Sequence, residues 1–223
     1  MIKTTSGFLL LAILLAILFL NTHITLLGSG FLIGDGTHVL TYHGLVKKAE
    51  SLKIKFPNED DIEAKIVFLD PKKNLAVLKL LETPKVKRQP LQMSHHGLSP
   101  KNEPVFTLGY PWANTLADKH VLIDGFAKNG PILIDLNMAL DPVHSGSPLF
   151  NARQEVVGMV LLGTHANNVF PVKESNNFAL PVRFLKKSLQ AVKISATLSP
   201  QKNLTKEAFI SISKNNIVLV EAR

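Results

Sequence analysis

From residue 28 onward, apolar and polar positions alternate in short runs separated by turn formers. Between Ser51 and Phe56, the residues Leu52, Ile54 and Phe56 fall on one side and Lys53 and Lys55 on the other. That period of two predicts a half-buried strand. Gly28 to Gly34 and His38 to Thr41 flank Asp35-Gly36, and an Asp-Gly pair between apolar runs predicts a hairpin. Asp61 to Leu69 and Leu75 to Leu80 read as further strands around the turn Asp70-Pro71-Lys72-Lys73. A second set of candidate strands comprises Val105–Leu108, Val121–Ile123, Ile132–Asp135, Glu155–Leu162 and Phe178–Leu180. Pro181 to Leu189 predicts a short helix, with proline at its start and Phe184, Leu185 and Leu189 available to pack. The tail from Ile194 to Arg223 predicts one more hairpin, Ala208–Ser213 against Ile217–Val220, covering a sheet edge.

Many short strands with turn-rich links predict an all-β barrel or sandwich. The charged, proline-containing stretch from Glu82 to Pro90 reads as a connection, dividing the strands into two compact units. A length of 223 residues suits one domain built of two such units, plus short appendages.

Composition narrows the chemistry. The chain has no cysteine, which excludes disulfides, a thiolate nucleophile and cysteine-based zinc sites. Asp135, Asp141 and His144 lack the spacing of a compact metal motif, so neither metal nor cofactor is expected. The net charge of +8 is scattered through Lys47-Lys48, Lys72-Lys73, Lys85 to Arg88 and Lys186-Lys187, without interleaved aromatics. That pattern reads as solvated turns rather than a nucleic-acid stripe. His95-His96 beside Gly97 reads as a solvent-facing link.

Phe8 to Leu20 is a run of thirteen apolar residues preceded by Lys3. At ~1.5 Å per residue it spans roughly 20 Å, short of the ~30 Å hydrocarbon layer. Residues 1–22 therefore read as a signal peptide or a membrane anchor. Both readings place residues 23–223 outside the cytoplasmic membrane, in a periplasm or at the extracytoplasmic face of an inner membrane.

Pro142-Val-His-Ser-Gly-Ser-Pro-Leu-Phe150 carries the sharpest chemical signal. With Gly28–Gly34, Val39–Val46, Asp70–Leu80, Leu108-Gly-Tyr-Pro111, Val156–Met159 and Asn177–Val182 in this order, it resembles the trypsin-like serine protease family, in its HtrA-type branch. The resemblance covers roughly residues 25–193. It implies two six-stranded antiparallel β-barrels, the first over about 25–88 and the second over about 100–182, closed by a helix at 181–192. Residues 194–223 are left as a C-terminal extension.

The resemblance also implies a site. Ser145 falls on the nucleophile, and the N–H groups of Val143 and Ser145 fall on the oxyanion hole. The histidine of a Thr-x-x-His pattern starting at Thr41 is replaced by Gly44, with His43 one residue early. The aspartate position holds Asn74. A serine hydroxyl is a weak nucleophile until a base about 2.6–3.2 Å away takes its proton. An asparagine cannot stabilise the imidazolium that results, a change that costs about 10⁴ in rate in a serine protease triad. Valine resists the backbone angles glycine takes freely. The expectation is a weakened or inactive protease homologue that binds polypeptide or a partner protein between its barrels. The alternatives are an endopeptidase using a His43–Ser145 dyad and a structural component of an envelope complex.

Overall fold

A computed structural model of the chain describes residues 25–57, 59–86, 88, 91–98, 101–110, 120–172, 176–196 and 204–223. The apolar segment at 1–22 lies outside these residues. Among them no helix is long and apolar enough to cross a membrane.

Twelve strands form two closed antiparallel barrels, the all-β architecture expected. The first contains β1 (Leu26–Ile33), β2 (His38–Thr41), β3 (Leu52–Lys55), β4 (Ile62–Asp70), β5 (Leu75–Leu80) and β12 (Ile217–Ala222). Its order around the barrel is β1-β12-β3-β4-β5-β2. The second contains β6 (Glu103–Gly109), β7 (Val121–Asn129), β8 (Ile134–Asn137), β9 (Pro148–Asn151), β10 (Val156–Leu162) and β11 (Asn177–Pro181), in the order β10-β11-β8-β7-β6-β9. Among the described residues, four short α-helices accompany them: α1 (His43–Val46), α2 (Gly163–Ala166), α3 (Val182–Ala191) and α4 (Lys206–Ser213).

The alternation in the sequence is realised directly. In β3, Leu52 and Ile54 are buried while Lys53 and Lys55 are half-buried. The β1–β2 hairpin turns through Gly34 and Gly36, both with positive φ, and Asp35 accepts hydrogen bonds from the Thr37 amide and hydroxyl at 3.0 and 2.6 Å. Such angles suit glycine, and the short aspartate side chain closes the turn. The helix expected near 181–192 is α3, which buries Val182, Leu185 and Leu189.

The tail departs from expectation. Ala208–Ser213 is helical, and the predicted hairpin does not form. Its Ala-Phe-Ile-Ser-Ile-Ser alternation mimics a strand, but the buried residues of α4 are Phe209 and Ser213, four apart on one helical face. Thr205 caps the helix by accepting from the Ala208 amide at 3.3 Å. Phe209 stands edge-on to Phe106 and Phe150 of the second barrel, with centroids 5.9 and 5.1 Å away. The chain then crosses to the first barrel, where β12 pairs with both β1 and β3, setting Val220 opposite Gly28 and Ile54. The last strand in sequence thus completes the first barrel.

Candidate active site

Ser145 caps a 3-10 turn, Pro142–His144, at the junction of the two barrels. The first barrel holds this loop from one side. Ser29 donates its amide to the Ser145 carbonyl at 3.0 Å and its hydroxyl to the Val143 carbonyl at 2.7 Å. Thr41 Oγ1 in turn donates to the Ser29 carbonyl at 2.8 Å. The approach is so close that Gly146, at φ +96°, could not carry a side chain: a Cβ there would lie 1.9 Å from the Ser29 carbonyl oxygen. From the other side, the Gly146 amide donates to Val160 of β10 at 2.9 Å.

The Ser145 side chain is buried and has two partners. Its Oγ accepts from the Leu162 amide at 3.1 Å and lies 2.7 Å from His165 Nδ1. His43, the displaced base of the alternative dyad reading, makes no side-chain hydrogen bond among the described residues. It opens α1, and its charge environment is set by Lys47 and Asp70, with burial depressing its pKa. The physical reason is local. β10 ends at Leu162 and winds directly into α2, which brings His165 back over the serine.

Two further contacts hold His165. Asn74 Nδ2 donates to the His165 carbonyl at 2.9 Å. Tyr42 stacks on the imidazole with ring centroids 4.9 Å apart. Burial depresses the His165 pKa, so the ring stays neutral near pH 7. With the ring proton on Nε2, Nδ1 is free to accept from the Ser145 hydroxyl, which is the orientation a general base needs.

Asn74, placed by resemblance at the acid position, braces backbone instead of an imidazole nitrogen. It sits in the left-handed region at φ 51°, which asparagine tolerates better than most residues. Its Oδ1 accepts from the Gly44 amide at 2.9 Å and its carbonyl from the His43 amide at 3.1 Å. It thus ties the α1 loop to α2 across the cleft.

The oxyanion loop is closed. The Ser145 amide donates inward to the Pro142 carbonyl at 3.2 Å, so this N–H is engaged rather than aimed at a reacting oxygen. One such donor is worth roughly 3 kcal/mol of transition-state stabilisation. Val143 fits here because the 3-10 turn asks of it no positive φ. His144 is buried; its Nδ1 accepts from the Asp141 amide at 3.1 Å, and burial lowers its pKa. Its ring crowds Gly109, where a Cβ would lie 2.6 Å from His144 Cδ2.

His165 is the residue sequence reasoning missed. The available signal was a histidine placed just beyond the strand that follows the nucleophile. Among the described residues no cluster of three or more His, Asp or Glu side chains is placed to hold a metal.

Two closed antiparallel barrels with a serine loop at their junction define the class of two-barrel serine hydrolase scaffolds. A family described as "Trypsin-like peptidase domain" matches residues 28–159, more than half of the chain, and the chain belongs to that family. It is 30% identical over 141 residues to a "Probable periplasmic serine endoprotease DegP-like" of Ectopseudomonas mendocina, a match covering 60% of this chain and 28% of that protein. It is 27% identical to "Protease Do-like 1, chloroplastic" of Arabidopsis thaliana over 59% of this chain and 32% of that one. The chain thus spans less than a third of the length of these relatives. Among solved structures, Deg5 superposes with a TM-score of 0.58 at 20% identity, covering 76% of this chain and 85% of that one. The Ser343Ala mutant of Rv3671c from M. tuberculosis H37Rv, in an inactive form, gives 0.57 at 18% identity, covering 75% and 81%. These two likenesses speak to the fold.

Proposed function

We propose that this chain is an exported, HtrA-type peptidase homologue that binds polypeptide between its barrels and does not cut it efficiently. The observation that carries this reading is the state of Ser145. Its amide is engaged with Pro142, its hydroxyl is buried, and among the described residues its one imidazole partner has no carboxylate behind it. A substrate carbonyl must approach a nucleophile to about 3–3.5 Å. Here α2 stands in the way, held by Asn74 and Tyr42. The placement outside the cytoplasm rests on the N-terminal apolar run and on relatives named as periplasmic proteases.

The test uses purified full-length protein with fluorescently labelled unfolded casein. Saturable binding without fragment formation is the expected result. Rapid degradation that stops in Ser145→Ala would overturn the reading. Absence of both binding and cleavage would favour a purely structural role.

One observation favours a second reading, slow acyl transfer by a Ser145–His165 dyad: the 2.7 Å separation lies within the range a general base requires. Small activated esters, which need less room than a peptide, would be its substrates.

A further inference from the structure

Two basic sequence elements far apart in the chain, the His95-His96 link and the Lys186-Lys187 pair, meet on the second barrel away from Ser145. A concavity of about 400 Å³ lies between the His95–Leu98 link and α3. His95, His96, Arg183, Lys186 and Lys187 line it, over an apolar floor that includes Leu98 and Val157. Among the described residues no carboxylate lines it. Among the described residues none of the five basic side chains is in an ion pair. Lys186 donates to the Ser94 carbonyl, and Arg183 donates to the Ile132 carbonyl at 3.3 Å while lying over the Phe184 ring. Glu155, which is not among the lining residues, acts electrostatically on Lys186.

Gathering like charges around one hollow is unfavourable in itself, and a bound anion relieves it. The ten-residue helix α3 opens onto the same hollow with no acidic residue in its first turn and no side-chain cap. Its first amides therefore add partial positive charge to the same side. Donors arranged on two walls outnumber what the two oxygens of a single carboxylate can meet. A tetrahedral phosphate, with three or four acceptor oxygens, can face both walls at once.

We propose that this concavity is a binding site for a phosphate group, carried either by a small soluble phosphate compound or by a phospholipid headgroup. The test has two arms. Inorganic phosphate is titrated into the full-length protein by calorimetry, and co-sedimentation compares phosphatidylglycerol with phosphatidylcholine vesicles. Reversing two exposed charges with Arg183→Glu and Lys187→Glu together is expected to weaken binding roughly tenfold. Lys65→Glu on the first barrel changes net charge but leaves the site intact, and is expected to bind as before. Binding in the first arm identifies a soluble phosphate source; binding confined to phosphatidylglycerol identifies a lipid. No pocket-dependent binding in either arm, or an equal loss in Lys65→Glu, overturns the proposal. Thermal unfolding of the double variant confirms that it is folded.

Discussion

His165 Nδ1 stands 2.7 Å from Ser145 Oγ, and both residues are carried by the second barrel. The resemblance places the base on the first barrel, in the loop after Thr41, where the cleft between barrels sets the distance to the serine. Here that loop supplies Tyr42 as a stacking face and, through Asn74, an anchor for α2. The first barrel positions the imidazole without contributing it.

This arrangement predicts which histidine governs the reactivity of Ser145. A fluorophosphonate probe should label Ser145 slowly. His165→Asn removes the proton acceptor and should cut the labelling rate by about 10²-fold or more, the range of a lost general base. His43→Ala should leave the rate nearly unchanged. The measurement is a gel-based time course in the three proteins, with Ser145→Ala as blank. The reverse order of effects would assign the base to His43.

Stability should fall as the solution is acidified from pH 7.5 to pH 5. Burial lowers the pKa of His120, His144 and His165 below the ordinary value of about 6.5. In the unfolded chain these rings take up protons as pH drops through about 6.5, while in the folded chain they do so only at lower pH. The unfolded state then binds more protons, which favours unfolding. Glu155 and Glu221 have depressed values instead, so their contribution is lost at lower pH, below the ordinary carboxylate range. Denaturant midpoints measured across the window should show the decline, and His144→Gln should flatten it.

The strands of both barrels were legible because one face of each meets the core, so that Leu52/Ile54 against Lys53/Lys55 writes the period into the chain. The serine loop was legible too, since its Ser-Gly pair answers a demand visible in space, the closeness of Ser29 to Gly146. His165 was not legible, because its role depends on β10 ending at Leu162 and turning into a helix, a three-dimensional event that periodicity does not record. Ala208–Ser213 misled for a related reason. Its alternation fits a strand, but the aromatic slot formed by Phe106 and Phe150 takes Phe209 from a helix.

The same closeness yields a stability prediction. Gly146→Ala places a Cβ 1.9 Å from the Ser29 carbonyl oxygen, at a φ of +96° that alanine resists. The loop and the first barrel would have to separate, breaking the Ser29 hydrogen bonds to Val143 and Ser145. A loss of roughly 3 kcal/mol or more is expected, combining backbone strain with a broken buried network. Urea unfolding of the variant measures it; a change under about 0.5 kcal/mol, the range of an ordinary surface substitution, would show that the loop moves freely.

The final strand should be indispensable to the first barrel. β12 buries Ile217, Val218, Val220 and Ala222 and pairs with β1 and β3 on either side. Ile217→Ala should cost about 2–5 kcal/mol, as for other large-to-small changes in a packed core. Deleting residues 217–223 should do more than subtract contacts. It leaves the eight-residue β1 and the four-residue β3 with unpaired edges, a template for association with other chains. It also removes several buried side chains worth about 1.5–3 kcal/mol each, comparable in sum with the 5–15 kcal/mol stability of a whole domain. The shortened protein should therefore be insoluble or bind a hydrophobic dye strongly, while the Ile217→Ala variant stays folded with a lower denaturation midpoint. A soluble, cooperatively folding deletion would mean that the other five strands close the barrel without β12.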